Sequence, residues 1–179
     1  ASKMKGPKRQ PTTIRAPAIV KQAVRLFIVN GYDATSVDAI AAEVGITKAS
    51  VYHHFSGKEE ILSAAMGSIL DPLEQLLAET RLKKMAAIDQ LWTLVRGVIE
   101  LTALHRGEVL LLSTIKSNTK AERSAQLRRR KLQKTVDEII ATAIAEGSIS
   151  SSFDPHVLGR LIFGMTNSEA ETWAQTVEQ

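Results

Sequence analysis

Proline placement sets the secondary-structure class of this chain. Pro7, Pro11 and Pro17 crowd the start, Pro72 and Pro155 follow, and the 179 residues hold no others. Proline lacks the amide hydrogen that an interior helical turn needs, so long stretches without it can be helical throughout. Apolar residues at helical spacing fill those stretches. Ile19, Val20, Ala23, Val24 and Phe27 form the first stripe, closed by Asn30-Gly31. Ser36 is placed to cap a second helix, with Asp38 near its positive end. Val37, Ile40, Ala41 and Val44 are its stripe, and Gly45 stops it. Thr47 caps a third, very short helix whose inward residues are Val51 and Phe55.

Ser56-Gly57-Lys58-Glu59 fits a reciprocal capping box ahead of a long helix. That helix carries Ile61, Leu62, Ala65, Met66, Ile69 and Leu70, and its stripe resumes at Leu73, Leu76 and Leu77 beyond an expected kink at Pro72. A helix over 86–104 is expected to turn Leu91, Trp92, Val95, Val98, Ile99 and Thr102 inward, and His105-Arg106-Gly107 breaks it. A short apolar stretch, Val109 to Leu112, precedes a long helix over 121–146 with Leu132, Val136, Ile139, Ile140 and Ala143 inward. Gly147 closes that helix, Ser148 to Phe153 reads as loop, and Asp154-Pro155 opens a last helix with an N-cap and proline at its first position. Neither strand alternation nor an internal repeat is present. The expected fold class is all-α, a three-helix head followed by a helical bundle.

Composition removes several classes of function. Apolar types at 44% and charged types at 23% give a globular chain rather than a disordered one. No run approaches the apolar length that spans a bilayer, and the polar, basic start is unlike a signal peptide. Cysteine is absent, which excludes disulfides, thiolate metal sites and thiol catalysis, and fits a reducing cytoplasm. Charge is uneven. Residues 1–58 hold nine Lys/Arg against Asp33, Asp38 and Glu43, a net of +6 that leaves −2 for the remainder. A cationic head on a near-neutral body fits a nucleic-acid binder, and equally a solubilising face.

The short helix pair over 36–44 and 47–54, joined by a tight glycine turn, suits a helix-turn-helix. With Val51 and Phe55 inward, Thr47, Lys48, Ala49, Ser50, Tyr52, His53 and His54 lie mostly outward. Small residues at the helix start leave room for a groove, while the cation, hydroxyls and rings can meet phosphates or base edges. Tyr52 is otherwise a partly buried core residue. Adjacent His53 and His54 point about 100° apart and lack acidic partners nearby, a poor metal pair.

Residues 12–62 resemble the DNA-binding head of the TetR/AcrR family of transcriptional repressors. The resemblance is carried by Ala23-Val24-Arg25-Leu26-Phe27, Gly31-Tyr32, Ala34-Thr35-Ser36-Val37, Ile40-Ala41-Ala42-Glu43-Val44-Gly45 and the unbroken run from Lys48 to Leu62. It implies phosphate contacts for Thr35, Ser36, Thr47, Tyr52, His54 and Lys58, and a position nearest the bases for Lys48, Ala49, Ser50 and His53. Lys8, Arg9 and Arg15 would extend the contact from a flexible arm over 1–12. It further implies a helix-turn-helix domain over 13–58 and a ligand-binding and dimerising domain over 59–179. The partners it implies are a palindromic double-stranded operator, a second copy of the chain and a small-molecule effector. It implies no cofactor and no membrane.

Candidate pocket walls in the body are Met66, Leu70, Leu77, Met85, Trp92, Val95, Ile99, Leu112, Ile139, Phe163 and Met165. Arg128-Arg129-Arg130-Lys131 reads as solvated surface. The sharper reading takes Arg129 into the pocket, because this basic helix, with Gly147, Asp154-Pro155 and Gly164-Met165-Thr166-Asn167 to Trp173, resembles the acyl-CoA-responsive branch of the family. The last helix offers Leu158, Leu161, Ile162 and Met165 to a dimer interface, with Gly159 and Gly164 permitting close approach. The resemblance also implies a further helix beyond the equivalent of Trp173, and the sequence ends at Gln179.

Rival readings fare worse. Gly57-Lys58 lacks the rest of a phosphate-binding loop, since Tyr52 stands where glycine is required and Glu59 where Ser/Thr is. No nucleophile elbow or zinc-protease motif points to an enzyme. A non-specific architectural DNA binder would carry basic charge across the body, against the −2 found there. An activator is as compatible with these residues as a repressor.

Overall fold

The structure, a computed structural model, describes residues 16–150 and 152–177, with side chains as far as Met165 and at Ser168. The expected arm over 1–12, Lys8, Arg9, Arg15 and the Trp173 side chain lie outside the described residues. Those described form eight helices: α1 (Ala16–Asn30), α2 (Val37–Val44), α3 (Lys48–Tyr52), α4 (Lys58–Leu82), α5 (Ala87–Leu104), α6 (Arg106–Thr114), α7 (Lys120–Ala145) and α8 (Pro155–Val177). The all-α expectation holds.

Local chemistry fixes the head. The Ser36 hydroxyl accepts from the Ala39 amide at 3.1 Å and starts α2. Gly45 ends it at φ +77, a left-handed conformation that lets its amide donate to Ala42 and that of Ile46 to Ala41. The Thr47 hydroxyl then accepts from the Ser50 amide at 3.2 Å and starts α3 two residues later. Helix α1 buries Ile19, Ala23, Val24 and Phe27 against α2 and α4, as its stripe predicts.

Helix α4 departs from expectation at its start. Gly57 takes the N-cap position and supplies no side-chain bond, so the Ser56–Glu59 box does not form. The Ser56 amide donates instead to Glu60 Oε2 at 2.6 Å, and the Ser56 side chain first, with this amide second, holds the Glu60 carboxyl below its usual pKa. Glu59 reaches away from its own helix and accepts from the Ala121 amide in the first turn of α7, at 2.9 Å. Beyond this start, α4 runs through Pro72 to Leu82 as one helix. Before Pro72 it buries Ile61, Leu62, Ala65, Met66, Ile69 and Leu70, and beyond it Leu77 and Thr80.

The body is built from α5 to α8 around α4. Residues 106–114 form a full helix where the sequence showed only an apolar stretch, and Val109, Leu110, Leu111 and Leu112 are all buried. Packing on α1, α4 and α8 explains four consecutive buried positions. Helix termini here are often capped from a distance. Glu146 at the end of α7 accepts from the Ala87 amide at the start of α5, at 3.0 Å.

A capping box does occur, at α7. The Thr119 hydroxyl accepts from the Glu122 amide at 3.1 Å, while the Glu122 carboxylate accepts from the Thr119 amide at 2.8 Å and the Lys116 amide at 3.1 Å. Burial opposes ionisation of Glu122, but these donors outweigh it and its pKa is lowered overall. A depressed folded pKa stabilises the fold above the ordinary carboxylate range, and that contribution is lost as pH falls through the folded value. Thr119→Ala should cost about 1 kcal/mol in urea unfolding. Glu122→Gln should flatten the acid limb of stability against pH; an acid limb unchanged from the native chain's would remove Glu122 from that role.

Candidate nucleic-acid interface and body cavity

Helix α3 is too short to stand alone, and two residues hold it. Val51 is fully buried and Phe55 is 7% exposed, both within the core shared with α1, α2 and α4. The opposite edge is open: Thr47, Lys48, Ala49, Tyr52, His53 and His54 are exposed and Ser50 is half-buried. Tyr52, at 48% exposure, is an outward residue rather than a core one. Among the described residues no group of three or more His, Asp or Glu is placed to hold a metal.

The edge is organised by hydrogen bonds within the head. Lys48 Nζ donates to Asp38 Oδ2 of α2 at 2.6 Å, and this bond holds the exposed ammonium above its usual pKa. The Thr47 and Ser50 hydroxyls lie 2.9 Å apart. Ser36 accepts a backbone amide and keeps an exposed hydroxyl hydrogen to donate outward, while Thr47 also accepts an amide and has one hydrogen bond between its hydroxyl and that of Ser50. Arg25 of α1 pairs with Glu43 of α2 at 3.1 Å.

Two expected phosphate contacts are placed otherwise. Thr35 is 3% exposed, and its hydroxyl bonds to the Gly31 carbonyl at 2.8 Å and is 3.2 Å from that of Leu26. Its side chain secures the turn between α1 and α2 and is not offered to a ligand. Lys58 is half-buried: its ammonium donates to the carbonyls of Tyr32 at 2.7 Å and Asp33 at 3.2 Å, and sits 4.3 Å from the Tyr32 ring centre. It clasps α4 to the head instead of extending as a free cation. Tyr32 itself has a raised pKa, from burial first and then from the charges of Glu59, Glu122 and Asp33.

The body contains an apolar cavity of about 20 Å³, walled by Leu73, Leu76 and Leu77 of α4, Leu94 and Val98 of α5, Leu132 and Val136 of α7, and Phe163 of α8. Of the expected pocket residues it brings together Leu77 and Phe163. Met66, Leu70, Leu112 and Ile139 are buried in the core away from it, and Met85 and Arg129 are half-buried elsewhere. Trp92 and Ile99 correct the expected inward face of α5: they are 69% and 58% exposed, and with Val95, Arg96 and Glu100 they line an open surface cleft of about 590 Å³. The buried face of α5 is Ala87, Leu94 and Thr102.

The last helix divides likewise. Leu158 and Ile162 pack on the core, whereas Leu161 and Met165 are exposed and share an outward edge with Val157, which the sequence reading missed. Gly159 faces α7, where an added Cβ would run into Asp137 and Gln133, so its close approach is within the chain and not to a second copy. Next to Gly164 the space is open.

Comparison with known proteins places this architecture. Residues 19–65 match the family described as bacterial regulatory proteins, tetR family, and residues 84–174 match the tetracyclin repressor-like C-terminal domain. The chain belongs to the TetR family. IcaR, the negative transcriptional regulator of the biofilm operon icaADBC in Staphylococcus aureus, is 36% identical over 74 residues. Those residues make up 41% of this chain and 40% of IcaR, so the match spans about two-fifths of that relative's length. The solved structure of SCO3833, a TetR-family member of Streptomyces coelicolor, superposes with a TM-score of 0.80 at 36% identity, over 88% of this chain and 79% of that one. AibR, solved in complex with isovaleryl coenzyme A and operator DNA, superposes at 0.72 and 27% identity, over 88% and 86%.

Thr35→Val should lower unfolding stability by about 1–3 kcal/mol, because it removes a buried hydroxyl that ties the Gly31 and Leu26 carbonyls to the turn. Chemical denaturation measures this; a variant as stable as the native chain would return Thr35 to the surface set.

Proposed function

We propose that this protein is a ligand-responsive transcriptional repressor that binds a palindromic operator as a homodimer and is released by a small apolar or acyl-CoA-like effector. The observation that carries the reading is the open edge of α3, presented by Val51 and Phe55 from behind. An edge with small Ala49 and Ser50 at the helix start, Lys48 beside them and His53 beyond suits insertion into a major groove. In this reading Ser36, Thr47, Tyr52 and His54 hold the phosphates, while Lys48, Ala49, Ser50 and His53 lie nearest the bases. Lys48 would exchange Asp38 for DNA on binding. Lys58 acts there by holding the turn that carries Ser36, with one ammonium proton left for a phosphate.

The division of labour follows the chain, with DNA binding over 13–58 and effector binding and dimerisation over 59–179. The outward edge of Leu161 and Met165 on α8, extended by Val157, is the dimer surface of this reading. The apolar cavity between α4, α5, α7 and α8 is where an effector enters, and the AibR complex with isovaleryl coenzyme A supports an acyl thioester as its class. Half-buried Arg129 would meet its phosphates. No described helix is long and apolar enough to cross a membrane, and the reading places the protein in the cytoplasm with its operator.

The test is competition between a palindromic site from DNA flanking the gene and bulk DNA, measured by fluorescence anisotropy. Lys48→Ala should weaken binding to the palindrome by about tenfold or more while bulk DNA is less affected. Lys58→Ala should weaken both alike and reduce the salt slope by about one. Equal affinity for palindromic and bulk DNA would overturn the repressor reading in favour of a non-specific binder.

A further inference from the structure

Helices α4 and α7 run in the same direction, and polar ties join them in sequence order: Glu59 with the Ala121 amide, Asp71 and Glu74 with Arg128, and Arg81 with Glu138. The middle tie is the most elaborate. Arg128 Nε and Nη2 donate to the two oxygens of Glu74, each at 2.8 Å, and Nη2 also donates to Asp71 at 2.6 Å. A guanidinium fork on a carboxylate fixes direction as well as distance. The Arg128 side chain is 27% exposed, and its hydrogen bond to Glu74 leads the influences that raise its pKa, so it remains a cation throughout.

This tie borders the body cavity. Leu132 lies one turn beyond Arg128 on α7, while Leu73 and Leu77 flank Glu74 on α4, and all three line the cavity. At about 20 Å³ the cavity has room for one water, yet its walls are hydrocarbon side chains that offer a water no partner. The cavity is partly open to the surface, and a molecule of several carbon atoms is enclosed in it only if the walls separate. One of those walls is α4, which also packs against α1 in the head.

We propose that Arg128 is a positioning residue that latches this cavity in its narrow form, its fork on Glu74 and Asp71 holding α4 against α7 until an apolar effector parts them. The proposal rests on reading the body as an effector site. The latch stabilises the narrow arrangement selectively, because the fork survives only while α4 and α7 stay at their present spacing. Salt screens a partly exposed pair, so salt favours opening.

The experiment uses Nile red, a neutral apolar dye, with the full chain and no DNA. Arg128→Gln, and separately the Asp71→Asn/Glu74→Gln pair, should each tighten dye binding by about fivefold. All three changes together should go no further, since each removes the same tie. Arg128→Lys, which keeps the charge but loses the fork, should fall between. High salt should tighten dye binding to the native chain and have little effect on Arg128→Gln. A merely structural role would lower the melting temperature without moving dye affinity or its salt dependence. Circular dichroism confirms that each variant is folded; should Arg128→Gln unfold, Arg128→Lys and the carboxylate pair carry the test. A chain that binds no operator but gives these dye responses loses the repressor reading and keeps the latch. Unchanged dye affinity in the folded variants, or additive effects of the two sets, overturns the latch.

Discussion

Helix α4 belongs to the head and the body at once, and most of the structure is arranged around that fact. Before Pro72 it buries Ile61, Leu62, Ala65, Met66, Ile69 and Leu70, beyond it Leu77 and Thr80, and it packs on α1 in the head and on α5, α6 and α7 in the body. Proline inside a helix costs about 3 kcal/mol when nothing offsets it, because an amide is lost and a carbonyl crowded. Here burial on both sides of Pro72 offsets that cost, and the helix continues for ten residues past it, to Leu82. Neighbouring Lys58 and Glu59 then fasten its first turn in two directions, one to the turn beneath α2 and the other to the start of α7.

The polar groups of the body follow a common logic. A helix start exposes amides that need acceptors, and in this fold carboxylates from other helices often supply them. Glu59 serves α7 and Glu146 serves α5, so two helix termini are also joints between elements. Glu122 is the local exception, buried in its own capping box with Thr119. The same residues that satisfy the backbone therefore set the relative position of the helices.

Much of the fold was legible because its signals are local. Ser36, Gly45 and Thr47 act on amides within a few residues, and the stripe of α1 has a single face. The bounds of α5 were legible and its orientation was not. Leu91, Trp92, Leu94, Val95, Val98, Ile99 and Leu101 surround that helix with apolar groups, so periodicity offers several faces and only packing selects Leu94. The open edge of α3 followed from Val51 and Phe55. The tasks of Thr35 and Lys58 did not, because they depend on carbonyls at Leu26, Gly31, Tyr32 and Asp33 whose directions no residue type encodes. The cavity was harder still, since it needs leucines and valines from three helices to meet Phe163 of a fourth.

The shared helix also bears on how such proteins can be recombined. A hybrid that grafts this head onto another regulator cannot be cut cleanly after the third helix, since that incision separates Lys58 from the turn it grips. A splice placed past Met66 keeps the graft's hydrophobic underside intact but brings Glu59 along. The recipient must then present a free amide where Ala121 stands, or the transplanted carboxylate arrives with nothing to hold.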